Sequence, residues 1–289
     1  MHDFNPHRRL NLAAPNIIGS HEISIVMPVK DNQRGVEHFL EDLLQCSVNG
    51  QLLPLEVIIV CDGNKISLQP KFANFPVEIN ILNSGGSGPA TARNVGWREA
   101  RGDWVLFTDS DCRPTLNWLK GYVEASNGAI GYAGNIRSFG KDLISRYYES
   151  QCTLMPPAKV AVSDCSPEYL ITANALVWKK ALETVGGFDE RIKIAAGEDI
   201  DLGFRLREVG SLSFAQRSVI LHDFDDGLFG FIRRFRRYGK GNHALADKYG
   251  LDIKPTAVLP KQGGFVNYAL ASLQYLSMLW GWYFDLNNK

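Results

Sequence analysis

Two aspartates one residue apart, Asp109 and Asp111, follow a short apolar run at 104–108. In an extended chain, residues i and i+2 face the same way, so both carboxylates can be presented at one point. Hard divalent cations such as Mg²⁺ and Mn²⁺ take oxygen ligands of this kind and usually share them with phosphate. A second acidic pair, Glu198-Asp199, stands where a helix begins, because Leu202, Leu206 and Val209 follow it at helical spacing. Acids at a helix start have an ordinary role in capping and in answering the helix dipole. A partly desolvated carboxylate is also a suitable general base. His222 ends an apolar run, where a lone histidine is more often structural than a ligand. A lone aspartate pair of this kind more often marks a solvated turn than a site.

Neither acidic pair is alone. The first apolar run ends in Pro28-Val29-Lys30-Asp31-Asn32, and the second in Cys61-Asp62-Gly63-Asn64. GPATARNVGWREARGDWVLFTDSD spans 88–111, GGFDE spans 186–190, and GEDIDLGFRL spans 197–206. In the order and spacing of these blocks, from about residue 23 to about 241, the chain resembles the family 2 glycosyltransferases, which have the GT-A fold.

The resemblance implies roles residue by residue. The backbone at Pro28 and Val29 cradles the nucleotide, and Asp31 stands where the family carries Asn, with Asn32 beside it as a substitute. Asp62 matches the acid that meets the base, and Arg93 an arginine that contacts base or phosphates. Asp109, Ser110 and Asp111 match the metal and ribose contacts, with Asp111 the firmer metal ligand and His222 an additional one. Asp199 is the base that takes the proton of the attacking hydroxyl, and Glu198 orients it. The loop at 186–189 shapes the acceptor side. In the block 234–238, Arg237 matches an arginine that neutralises the diphosphate, whereas Arg234 replaces a glutamine. The implied reaction is inverting transfer from a nucleotide sugar, UDP in most relatives, to a hydroxyl of unidentified acceptor, with Mn²⁺ or Mg²⁺.

Two other classes compete. A sugar nucleotidylyltransferase carries a glycine-rich loop with Arg and Lys after its first strand, and the stretch 29–35 does not fit that pattern. A catalytically silent binding protein would use the basic stretch and the apolar tail as an interaction surface, and the intact acidic pairs argue against it.

The elements that must position these residues are legible as patterns. Apolar runs at 23–29, 55–60, 77–82 and 104–108 read as strands, and helical periodicity follows the first and occupies 89–100. Beyond Asp111, residues 116–125 read as helix, 130–136 as strand, 151–168 as irregular loop and 170–178 as strand. A helix at 199–209 with Gly210 as its stop, a strand at 214–221 and a basic helix at 228–248 complete the reading. The fold class expected is α/β: a GT-A fold with a Rossmann-like mixed sheet flanked by helices and a helical C-terminal extension. The expected divisions are an N-terminal arm at 1–20, the GT-A domain at 21–250 and an apolar extension at 251–289.

Composition narrows the partners. The 289 residues carry 31 basic and 31 acidic side chains, so no basic excess marks a nucleic-acid binder. The five cysteines are odd in number and form no CxxC, which argues for a reducing cytosol over a disulfide scaffold or a zinc ribbon. The N-terminal stretch shows no signal-peptide pattern. Residues 265–284 carry no charge but include Asn267, Ser272, Gln274 and Ser277, a poor bilayer span. Phe265, Tyr268, Ala269, Leu273, Leu276, Leu279, Trp280 and Tyr283 mark one apolar helical face. Packing of that face on the domain or on a second copy is expected ahead of peripheral contact with the inner face of a membrane.

Overall fold

The computed structural model describes residues 11–161, 164–224 and 227–284. The first half holds β1 (Ile23–Val29), α1 (Gln33–Val48), β2 (Glu56–Cys61), β3 (Glu78–Asn83), α2 (Pro89–Glu99) and β4 (Trp104–Thr108). Then come β5 (Cys112–Pro114), α3 (Trp118–Ala125), β6 (Gly131–Ser138), α4 (Leu143–Gln151), β7 (Ala158–Ala161) and β8 (Asp164–Pro167). The chain finishes with β9 (Asn174–Trp178), α5 (Lys179–Val185), α6 (Glu198–Val209), β10 (Leu212–His222), α7 (Gly227–Tyr249) and α8 (Phe265–Phe284).

β2 and β4 are buried along their whole length, and β1 everywhere but Pro28. Strands covered on both faces read as continuous apolar runs, which is why the sequence announces them so clearly. The main sheet has the order β3-β2-β1-β4-β9-β6-β10-β5. β3, β2, β1 and β4 run parallel, and β9 lies antiparallel between β4 and β6. β10 is parallel to β6, and the short β5 runs antiparallel along its outer edge. The sheet is therefore mixed, as expected, and the strand ends that follow β1, β2 and β4 open on one side of it.

Several short elements differ from expectation. β5 and α5 carry too few residues to show a period, α4 is unexpected, and β7 with β8 forms a hairpin inside the expected loop at 151–168. The strand expected at 170–178 begins only at Asn174, whose side chain explains the start. Buried Asn174 donates to the carbonyls of Asn135 and Ser218 and accepts from Trp118 Nε1 and Tyr122 OH. All its polar atoms are thus used to tie β9 to β6, β10 and α3. The N-terminal stretch, where described, is not a free arm. Leu12 N donates to Val209 O at 2.7 Å, and Ile18 is buried in the main core.

A second, aromatic core lies away from the sheet. Tyr147 and Tyr148 of α4, Phe224 just after β10, Phe231 and Phe235 of α7, and Leu270 and Ala271 of α8 make it up. α7 and α8 approach closely because glycines stand at the contact. A Cβ at Gly239 would overlap Met278 O, and one at Gly281 would overlap Arg236 O. The tail thus packs on the domain, but through a different face from the one expected. Leu270, Ala271, Gln274, Ser277 and Gly281 point inward. Phe265, Tyr268, Leu276, Trp280 and Tyr283 are exposed. Small residues bring the helix axes close, and Gln274 is satisfied by Tyr147 OH at 2.7 Å, so the less apolar face wins the interior.

Candidate active site

Register places the acids. After Asp111 the chain turns into β5, where Cys112 pairs with His222 at the end of β10. Asp223 N donates to Asp111 O at 2.8 Å. His222 Nε2 then lies 3.5 Å from Asp111 Oδ1. Its Nδ1 stands 3.0 Å from the carbonyl of Asp223. A carbonyl only accepts, so Nδ1 carries a proton, and Nε2 is the ring nitrogen turned to the carboxylate.

Burial pushes the Asp111 carboxyl above its ordinary value, and repulsion by Asp109 adds to this, while His222 and Arg234 oppose it. A divalent cation relieves that same strain, and one carboxylate oxygen with one neutral imidazole is a donor set that Mn²⁺ or Mg²⁺ accepts. Cys112 Sγ lies in the same cluster. Burial raises its thiol far above the usual range, so it stays protonated and contributes nothing to a hard cation. Asp109 is not part of this cluster.

Asp109 belongs instead to Arg93. Gly88, at a φ of 100°, turns the chain into α2 with Pro89 in its first turn. Arg93 on that helix is buried, and its guanidinium forks. One arm donates to Glu198 Oε1 at 2.8 Å and the other to Asp109 Oδ1 at 2.8 Å. Among the described residues, Arg93 Nε and Glu198 Oε2 have no hydrogen-bond partner. Burial, then repulsion from Asp199, pushes the Glu198 carboxyl up to about 7 against the pull of Arg93. Burial also raises Asp199, with Asp109 adding to it and Arg93 opposing. Asp199 Oδ1 accepts from Ile200 N at 2.9 Å, which fixes the side chain at the start of α6.

These groups share one cleft of about 830 Å³. Pro28, Val29, Asp62, Arg93, Asp109, Ser110, Asp111, Glu198, Asp199, His222 and Arg237 all line it. Asp62 also organises the glycine-rich loop, accepting from Ser84 Oγ and from Gly88 N at 3.0 Å. Asp31 is the exception. It adopts φ 54° and accepts from Asn64 N and Nδ2 at 2.9 and 2.8 Å, so it clamps the loop after β2 and stays out of the lining. Asn32 lines the cleft in its place, donating to Ser110 O at 3.2 Å and Ser110 Oγ at 3.1 Å.

Arg237 is exposed, whereas Arg234, one turn earlier on α7, is buried. Arg234 donates to Tyr148 OH at 2.9 Å and lies over the rings of Phe224 and Tyr148. Phe224 in turn stacks on His222, with centroids 4.4 Å apart, and on Tyr148 at 4.2 Å. The block 234–238 singled out Arg234 as a departure from glutamine, but the stack it joins is not evident from the motifs, although Phe231, Arg234 and Phe235 share one helical face. Gln274 and Met278 of α8 also reach the cleft, and nothing in the sequence pointed to that.

A mixed sheet in this strand order, with a cleft over its strand ends and paired acids at the β4 end, is the GT-A fold. The family model for glycosyl transferase family 2 matches residues 24–186, and the chain belongs to that family. It is 30% identical over 247 residues to a pre-mycofactocin glycosyltransferase of Mycobacterium tuberculosis, covering 82% of this chain and 50% of that protein. The chain thus spans about half the length of that relative. It is 36% identical over 212 residues to a glycosyltransferase of Haemophilus influenzae, covering 70% and 60% of the two chains. Among solved structures, the mannosyltransferase PcManGT of Pyrobaculum calidifontis, in complex with GDP-Man and Mn²⁺, superposes with a TM-score of 0.56 at 14% identity. That match covers 96% of this chain and 76% of the other. TarS 1-349 of S. aureus with UDP gives 0.51 at 18% identity, covering 75% and 64%. Both structures support the fold. No described helix is long and apolar enough to cross a membrane.

Proposed function

We propose that the chain transfers a sugar, with inversion, from a nucleotide sugar to an acceptor hydroxyl. One observation carries this reading: Arg93 holds Glu198 and Asp109 in a single fork, so the acceptor-side acids and the donor-side acids are fixed relative to each other in one cleft. The acceptor oxygen attacks the anomeric carbon, and the bond from that carbon to the diphosphate oxygen breaks. The departing nucleoside diphosphate keeps the electron pair, and Asp199 takes the hydroxyl proton. Asp199 suits this role because burial raises its basicity while Ile200 N orients it. Asp111 and His222 are the residues that would hold a divalent cation, which when bound neutralises developing charge on the diphosphate. Arg237, exposed on the cleft lining, can swing onto the same diphosphate. Pro28, Val29, Asn32 and Asp62 form the nucleotide side. UDP is the donor nucleotide we favour, in keeping with the family and with the UDP held by TarS.

Release of nucleoside diphosphate from a panel of nucleotide sugars tests this. Release is expected with Mn²⁺ or Mg²⁺ and is lost in excess EDTA. Asp111→Asn removes most of it with the fold unchanged by circular dichroism. Full activity in EDTA refutes the metal role, and no release from any donor refutes the transferase reading.

A further inference from the structure

The two halves of the cleft differ in chemistry. The half formed by the ends of β1, β2 and β4 presents Asp62, Asp109, Asp111 and Lys30, suited to a charged nucleotide and its cation. The same cleft is also lined by Leu154, Ile171, Ala195, Val258, Leu259 and Met278, none of which belongs to those strand ends. Leu259 is 82% exposed on the segment before α8, and Met278 lies on α8 itself. Apolar side chains that stay in water at the mouth of a cleft are unfavourable unless a ligand covers them. Tyr169, Phe235 and Tyr238 also line the cleft, and their rings add to its apolar surface.

We infer that this part of the cleft is a subsite for an apolar group carried by the acceptor, so that the attacking hydroxyl belongs to an amphiphile and not to a bare oligosaccharide. This rests on the transferase reading, because Asp199 as base fixes where the hydroxyl must sit. The acceptor's apolar body then lies against Leu154, Ile171 and Met278, and the segment at 258–261 closes over it. Water is excluded from the reacting centre by the ligand's own body.

Calorimetric titration with n-octyl β-glucoside below its micellar concentration tests the subsite, with glucose and maltotriose as comparison ligands. Octyl glucoside is expected to bind saturably, with an affinity at least roughly tenfold above either sugar. Leu259→Asp, at an exposed position, is expected to weaken that binding by about tenfold or more and to leave nucleotide-sugar KM unchanged. Met278→Gln provides a second, milder variant with the same expected direction. Equal or tighter binding of maltotriose, or no saturable binding of octyl glucoside, overturns the subsite whether or not any donor turns over. Binding as expected with no nucleotide release from any donor leaves the subsite standing and removes the transferase reading.

Discussion

Arg93 is the side chain on which the site depends most. Its two partners are acids, Glu198 buried and Asp109 half-buried, so removing it leaves two carboxylates without this counter-charge. Breaking a buried pair in this way costs about 3–5 kcal/mol. Arg93→Leu is therefore expected to lower stability by that order in chemical denaturation. The loss should depend on pH. Glu198 sits above its ordinary value in the folded protein, at about 7 against 4.5, so the folded state binds more protons than the unfolded one across that window. Stability consequently falls as pH rises from 4.5 toward 7. Removing Arg93 removes the attraction that opposes this, so the deficit of Arg93→Leu is expected to be larger at alkaline than at acid pH. An equal deficit at both ends means that Glu198 is not buried against Arg93. Asp199 makes a separate prediction. Asp199→Asn keeps the shape and loses the proton acceptor, so kcat should fall by roughly 10²–10⁴ with donor affinity little changed. Because burial raises the carboxyl, the acid limb of wild-type kcat should lie above 3.8, and the variant should lack it.

At the scale of elements, α6 and α7 are joined behind the site by a buried acid. Asp201 accepts from Arg205 at 2.7 and 3.0 Å, from Tyr249 OH at 2.6 Å and from Lys248. Lys248 also reaches Asp189 at 2.7 Å, so the loop before α6 is tied to the end of α7. Arg191 first, and Lys248 with it, holds the Asp189 carboxyl well below its usual range. Lys248→Met leaves both acids short of a donor, and a loss of about 1–3 kcal/mol is expected. A carboxyl with a depressed value contributes stability above its ordinary titration and loses it in acid, so the difference from wild type should shrink as pH falls below about 4. Matched denaturation curves at neutral and acid pH check this. Asp201 lies inside the motif GEDIDLGFRL, and its partners Lys248 and Tyr249 stand too far along the chain for spacing to reveal them. What the sequence did show was whatever repeats or is strongly apolar: β1, β2, β4, α2 and α6 stand within a residue or so of their expected bounds. What it hid was set by distant pairing. β5 is only three residues long, yet its register with β10 is what brings Asp111 to His222. Asp31 carries the motif position but turns away, because φ 54° suits the turn and Asn64 offers two donors.

For the whole molecule, the C-terminal helix is the informative part. Its small and polar residues face the domain, and its aromatic side faces out, with Arg236 over the Trp280 ring and Lys254 over the Tyr283 ring. Cations beside exposed aromatics suit a headgroup layer, and a second copy of the chain is the competing cover for this face. No described helix is long and apolar enough to cross a bilayer, so high salt or carbonate is expected to release the protein from any membrane fraction. A requirement for detergent would overturn this.

The glycines between α7 and α8 bear on how such a protein can be re-engineered. Gly239 meets the backbone at Met278, and Gly281 meets it at Arg236, so each helix is shaped to the other where no side chain can intervene. The same two helices contribute Arg234, Arg237, Gln274 and Met278 to the cleft. A chimera that takes only the tail from a relative inherits half of a matched surface, and the first bulky residue at either glycine position wedges the cleft wall open. The exchangeable cassette therefore starts at Gly227, not at the end of α7. Recombination that respects this boundary should trade acceptor preference while the nucleotide half stays as it was.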